Sequence, residues 1–231
     1  MDRNRLLRQS GNKCLLLLLS SFDNAGHAYA AGGNHFVDDA AMLAPGHCQV
    51  EVWGDRERNG NRKLLHAGPA CRAGPVELGF NLDHTSVRGV GNVTVAGPQM
   101  KWTRALNDSF SAGVVVAAGW QDNLPRFLGT TVVFPVTWQA GTAFLLHANL
   151  GWDFRHRSSD TLRAGVSAEW TPLPAWSLVA ERFRESDTNF WRAGVRYAVS
   201  PQVSIDLNRA DGLNGASHPW WTVGLTRLFD R

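Results

Sequence analysis

The sequence predicts an all-β fold: an antiparallel up-and-down transmembrane β-barrel of about 12 strands. Three observations carry this. Apolar and polar residues alternate with a period of two over most of the chain. The connections between alternating segments are longer at every second position. Ten tryptophans occur, and they fall at the ends of the alternating segments. Period two is the signature of a strand with two unlike faces. Alternating loop lengths and aromatic girdles are the signature of an outer-membrane barrel.

Composition narrows the alternatives. With 44% hydrophobic and 19% charged residues, the chain is neither disordered nor collagenous. After the N-terminus no apolar run reaches the ~18–20 residues of a spanning helix.

Residues 1–30 read as a cleaved secretory signal. Arg3, Arg5, Arg8 and Lys13 form a basic start, Cys14 to Ser20 opens a short apolar core that Phe22 closes, and Ala28-Tyr29-Ala30 fits a small-x-small cleavage site. The competing reading is a buried N-terminal helix. A lipoprotein signal fits less well, because Cys14 stands at the front of the apolar core. Removing this segment takes four basic and two acidic residues from the chain's 23 and 20, leaving 19 and 18 and a net charge of +1. The basic balance of the whole chain is therefore mainly a property of the signal, and no nucleic-acid partner is expected. Residues 31–45 form a leader, with a luminal position as one option, and 46–231 the barrel.

Twelve strands are expected at about 46–54, 63–72, 75–84, 92–104, 109–120, 129–138, 142–153, 160–171, 175–184, 189–199, 202–209 and 219–229. Between the first two lies Asn59-Gly60, a strong hairpin signal. A two-residue turn there places Cys48 opposite Cys71. An exported chain meets an oxidising compartment, so a disulfide and two free buried thiols both stand as readings. This register makes 48:71 a hydrogen-bonded pair, and Pro69 suggests a bulge.

The alternation is clearest in the later strands. Phe110, Ala112, Val114, Val116, Ala118 and Trp120 are apolar at every second position, with Ser111, Gly113, Ala117 and Gly119 between them. Phe144, Leu146, Ala148, Leu150 and Trp152 alternate with His147, Asn149, Gly151 and Asp153. The odd connections, near 55–62, 85–91, 121–128, 154–159, 185–188 and 210–218, are mostly the longer ones. The even ones, such as 73–74 and 200–201, are short.

Tryptophan separates membrane from water. Trp102, Trp138, Trp170 and Trp176 fall at the short-turn end, and Trp53, Trp120, Trp152, Trp191, Trp220 and Trp221 at the long-loop end. Indole is apolar in body with one N–H donor and favours a membrane–water boundary. A soluble β-sandwich would place such residues mid-strand.

The polar faces are then expected to line the interior: Glu51, Glu77, Asp83, His147, Asn149, Asp153, Arg163, Glu169, Glu181, Arg192, Arg196 and Asp206, with Gln49, Asn81, Ser204 and Asn208 beside them. Glu181 falls opposite Arg192, and Arg196 near Asp206. Such pairs satisfy one another inside a barrel. They brace a closed interior as readily as they line a solute path. The last strand ends in Leu228-Phe229-Asp230-Arg231. It resembles the C-terminal signal of outer-membrane proteins and departs from it by the last two residues.

Gly33-Asn34-His35-Phe36-Val37-Asp38-Asp39-Ala40, followed by Pro45-Gly46 and a strand with Glu51, resembles the start of a group of proteobacterial outer-membrane barrels. That group is named for its association with the meta pathway of phenol degradation. Gly89-Val90-Gly91-Asn92-Val93-Thr94-Val95, leading to Lys101-Trp102, is similar to a second stretch of that family. Asn92 stands here where members have an acid, and Gly97-Pro98 lies inside the strand. The resemblance implies an outer-membrane barrel, in a Gram-negative bacterium, that passes small, often aromatic or apolar, solutes. Its partners would be outer-membrane lipid and the solute. In such a barrel Asp38 and Asp39 either anchor the leader to luminal arginines or belong to a plain flexible segment.

Catalytic patterns are thin. His84-Thr85-Ser86 and His156-Arg157-Ser158 have the two-residue spacing of barrel lipid hydrolases. Both fall at loops or strand ends, and Glu169, the acid that would orient His156, is expected at the opposite rim. No enzyme activity, cofactor or metal site is expected. A barrel with a blocked lumen and a lipid-modifying hydrolase are the alternatives to a passive path.

Overall fold

A computed structural model describes residues 34–215 and 218–230. The expected signal peptide lies outside the described residues. Twelve strands form among them: β1 (His47–Glu57), β2 (Arg62–Ala73), β3 (Val76–Val87), β4 (Gly91–Ala105), β5 (Phe110–Gln121), β6 (Phe127–Gln139), β7 (Phe144–Arg155), β8 (Thr161–Leu173), β9 (Trp176–Glu185), β10 (Thr188–Ser200), β11 (Val203–Gly212) and β12 (Trp220–Asp230). Each strand pairs antiparallel with its neighbours in sequence, and β1 pairs with β12 from His47↔Asp230 to Glu57↔Trp220. Closure leaves no edge strand, so every strand finds backbone partners on both sides without water. Among the described residues no helix is long and apolar enough to cross a membrane.

The chain is inside out relative to a soluble barrel. In β7, Phe144, Leu146, Leu150, Trp152 and Phe154 are exposed, whereas His147 and Asn149 are buried. The same inversion recurs in β9 and β11, where Glu181, Asp206 and Asn208 are buried and Leu178, Ile205 and Leu207 are exposed. Apolar side chains facing outward on every strand need an apolar surrounding, and a bilayer supplies one.

Several local expectations differ from the structure. Strands run up to three residues further at the loop end, so those connections (58–61, 88–90, 122–126, 156–160, 186–187 and 213–219) are shorter than expected. The turns opposite them (74–75, 106–109, 140–143, 174–175 and 201–202) are nearly as long in places. Polar side chains such as those of Asp55 and Glu57 do not interrupt the ladder, because pairing is a backbone property.

The first hairpin turns differently as well. The Gly60 N–H donates to Glu57 C=O at 2.9 Å, and Gly60, with φ of +71°, alone takes the left-handed conformation. The register is nevertheless the expected one, and it runs without a shift past Val50↔Pro69, so Pro69 makes no bulge. The Cys48 and Cys71 Cα atoms lie 4.0 Å apart. That is the close spacing of a non-hydrogen-bonded pair, not of the hydrogen-bonded one expected. Their sulfurs are bonded, and the bridge lies on the outward parity of β1 and β2, beside the short turns.

Candidate functional site: the lumen and its leader

The interior holds a segment of the chain itself. Residues 34–46 precede β1 and run inside the barrel from its middle, beside Glu181 and Arg163, to the short-turn end where β1 begins. Val37, Ala40 and Leu43 are buried there. The Glu181 carboxylate accepts the backbone N–H groups of Phe36 (3.2 Å) and Val37 (3.0 Å). Thr137 Oγ1 accepts the N–H of Ala40 (2.8 Å), and Glu77 accepts that of Leu43 (2.9 Å). Asn149, in the amide orientation that satisfies both its ends, accepts the Asp38 N–H (2.6 Å) and donates to the Asp38 C=O (2.9 Å). Lys101 Nζ donates to Asp39 Oδ1 at 2.5 Å. An extended segment without regular structure carries backbone donors that must be met in a dry interior, and luminal side chains meet them. Gly165 leaves the room: a Cβ there would stand 2.6 Å from Val37 Cγ2.

Asp38 and Asp39 do not dock on arginines alone. Asp39 is held by a lysine, because Lys101 shares the inward parity of Gln99 on β4 and reaches across the lumen. Burial alone would raise the Asp39 carboxyl, but the Lys101 ammonium and the Ala41 N–H outweigh it and hold the group below the usual carboxylate range. At Asp38 burial prevails and raises the carboxyl against the pull of Lys101 and Arg163.

The strands themselves pair charges. Arg192 Nη1 lies 3.2 Å from Glu181, and Arg196 Nε donates to Asp206 at 2.8 Å. Arg163 lies 3.5 Å from Asp153 and 3.6 Å from Glu185, and its guanidinium stacks 4.0 Å over the Phe36 ring. Thr137 meets His147 Nδ1 at 2.9 Å. His66 meets Asp83 at 2.7 Å. Glu51 accepts from Gln49 at 3.0 Å. Glu169 is buried on the inward face of β8. The polar residues of the expected lumen set thus all stand on inward parity, and the leader occupies their midst.

Cavities remain around the leader. One of about 640 Å³ extends from Glu57, Arg62 and Glu185 at the loop end down to Asn34, His35 and Phe36. Its β4–β6 wall is small and apolar, with Val95, Gly97, Val115, Ala117 and Val133. The wall opposite is charged and aromatic, with Asp55, Arg192, Phe183 and Trp220. Another, about 190 Å³, lies at the short-turn end against Asp39, Ala41, Thr137 and His147.

The tryptophans divide. Trp102, Trp138, Trp170 and Trp176 at one end and Trp120, Trp152 and Trp221 at the other are exposed on the outer face, with Trp191 on the same parity and half-buried. Phe110–Trp138, Phe144–Trp170 and Trp176–Tyr197 ring pairs join neighbouring strands at the short-turn end at 5.8, 5.8 and 4.6 Å. Trp53 and Trp220 do not belong to this girdle. Both point inward and line the larger cavity, Trp53 stacked 4.7 Å from His66 and Trp220 buried among Phe190 and Arg192. Alternation is the reason: Trp53 shares the parity of Glu51 and Asp55, and of two adjacent tryptophans, Trp220 and Trp221, one must face inward. Neither indole N–H has an acceptor among the described residues.

No hydrolase geometry forms at the candidate serines. His84 faces outward, and its Nδ1 meets Thr94 Oγ1 at 3.0 Å. His156 and Ser158 lie in the β7–β8 loop, whereas Glu169 lies toward the opposite end of β8. Among the described residues no cluster of His, Cys, Asp and Glu suits a metal ion.

A family model described as "Uncharacterised conserved protein UCP029691" matches residues 17–229. The chain belongs to that family. No curated protein matches it. Solved structures of similar fold include the KdgM porin, 8% identical with a TM-score of 0.66 over 78% of this chain and 99% of that one. The COG4313 outer membrane channel from Pseudomonas putida F1 is 12% identical, with a TM-score of 0.59 over 83% of this chain and 98% of that one. The Pseudomonas putida toluene transporter TodX is 10% identical, with a TM-score of 0.54 over 84% and 92%. At such identities the likeness is one of fold: the architecture is that of outer-membrane channels and porins.

Proposed function

We propose that the chain is an outer-membrane barrel for passive passage of small, aromatic or apolar solutes. The observation that carries this reading is the larger cavity. Between charged residues it carries a wall of small apolar side chains and, opposite, the rings of Phe36, Trp53, Phe183 and Trp220, surfaces that suit a compact ring bearing few polar atoms. The resemblance to barrels associated with phenol degradation, and the toluene transporter among proteins of like fold, support the same reading. In this reading residues 1–30 are a removed export signal, 31–45 a luminal leader and 46–231 the barrel, with the short turns facing the periplasm. The leader blocks a straight path, so passage requires it to shift.

Planar-bilayer conductance, and uptake of an aromatic alcohol by liposomes, test this on the mature chain and on a form lacking residues 34–43. Uptake that rises when the leader is removed supports the reading. Silence and no uptake in both forms eliminate it. The competing reading, a structural barrel with a sealed lumen, rests on the leader's contacts with Glu181, Thr137, Glu77 and Lys101 and predicts that second result.

A further inference from the structure

The outer face carries a row of cations at the loop end. Lys63 pairs in register with Arg56, Arg56 with Trp221, and Trp221 with Arg209, across the four adjacent strands β2, β1, β12 and β11. All four side chains are exposed and on outward parity. The Arg209 guanidinium lies 5.8 Å from the Trp221 ring centroid. At ~4.8 Å per strand the row spans roughly 14 Å. Arg56, Lys63 and Arg209 have no carboxylate partner among the described residues, although other basic residues nearby do: Arg184 holds Asp187 at 2.7 Å and Arg62 faces Asp55 at 3.9 Å. The acid on this face is Asp211, two residues beyond Arg209.

Directly below this row, toward the middle of the barrel, the outward residues turn apolar. Gly54, Leu65, Val223 and Leu207 form the next row, and Val52, Ala67, Leu225 and Ile205 the one after. Among the described strands β3 to β8, no lysine or arginine faces outward at the loop end. One arc of the barrel therefore presents cations above a greasy wall, at the height of the aromatic girdle. An amphiphile with an anionic head and several acyl chains matches both parts.

We propose that this arc binds the phosphorylated glycolipid of the outer leaflet, with Arg56, Lys63 and Arg209 on its phosphates and the two apolar rows on its acyl chains. Guanidinium meets phosphate in a bidentate fork, and Lys63 adds a point charge. The inference rests on the membrane orientation proposed above and is independent of whether the lumen conducts.

The test uses the mature chain folded in neutral detergent micelles and titrated, by native mass spectrometry, with bisphosphorylated lipid A. Three further titrants or proteins frame it: lipid A stripped of its phosphates, phosphatidylglycerol, and the triple variant Arg56→Gln, Lys63→Gln, Arg209→Gln. Roughly fivefold in affinity per cation makes the expected loss in the triple variant on the order of 100-fold. Dephosphorylated lipid A should lose as much on the native chain. Arg227→Gln, an outward cation at the other end of β12, should bind like the native chain. Equal binding by the triple variant, by dephosphorylated lipid A or by phosphatidylglycerol would overturn the assignment. A heat-modifiable gel shift verifies folding, and Arg209→Gln alone, expected to lose about fivefold, serves if the triple variant fails to fold. A silent bilayer recording would remove the channel reading and leave this binding unchanged.

Discussion

Glu181 is the residue on which leader docking most depends. It is buried, accepts two leader N–H groups at 3.2 and 3.0 Å, and pairs with Arg192 at 3.2 Å. In Glu181→Ala both N–H groups lose a charged acceptor. Hydrogen bonds to a charged group contribute about 1.5–3 kcal/mol each. Water entering from the adjoining cavity recovers part of that, so the leader's hold should weaken by about 3 kcal/mol in total, or on the order of 100-fold in the undocked population. The Arg192 charge left behind is a separate cost to the barrel, borne whether the leader is docked or not. The assay is paired: single-molecule conductance in planar bilayers, and the rate at which an added protease clips the leader in folded protein. Both should rise together. If folded Glu181→Ala conducts and is clipped as the native chain is, the carboxylate does not hold the leader and the argument fails.

Other outcomes follow from the same structure. Lys101→Met leaves Asp39 buried without its cation and should destabilise the folded state by about 3–5 kcal/mol, read from urea unfolding in detergent; adding Asp39→Asn should restore much of the loss, and no restoration would refute the pairing. Reduction of Cys48–Cys71, which are 23 positions apart, should cost about 3 kcal/mol by the loop-entropy estimate and lower the unfolding midpoint while leaving conductance alone. Leu150→Arg places a charge on the outward face of mid-β7, at a cost of about 2–4 kcal/mol in a bilayer; a variant that inserts and unfolds like the native chain would contradict the lipid-facing assignment.

How much of this was legible in the sequence depends on what kind of partner a residue has. Strand positions and faces were legible because alternation is a property of the chain itself: Phe144 to Trp152 shows it without any neighbour. Cross-strand partners one hairpin away, such as Glu181 with Arg192 and Arg196 with Asp206, follow from counting outward from a turn. The inward turn of Trp53 and Trp220 was also encoded, in parity, but the end-of-strand position of tryptophan pointed elsewhere. What could not be read was the leader's bed. Glu181, Glu77 and Thr137 bind backbone N–H groups, and almost every residue carries an identical one, so side-chain identity marks neither partner. Lys101 with Asp39 joins residues 62 apart, with no turn to count from.

That same distinction bears on what the luminal charges are for. Acidic and basic side chains inside a barrel suggest a hydrated path when only strands are considered. Here the most deeply buried of them have protein partners. Glu181 is shared between Arg192 and the leader, Asp206 is taken by Arg196, and Lys101 by Asp39. The larger cavity is faced by rings and methyl groups as well as by charges: Trp53, Trp220, Phe36 under the Arg163 guanidinium, and the Val115–Val133 wall. A solute entering from the loop end would pass Glu57, Arg62 and Glu185 at the mouth and then meet these rings and methyl groups. In the proposed reading, the charges that touch the leader fasten it, and the apolar and aromatic lining above it does the selecting. On this argument, neutralising Glu77 or Lys101 should change how often the barrel opens. Replacing Val115 with a larger side chain should change which solutes pass, and a liposome uptake series against ring size would show the opposite pattern if the charges were the filter.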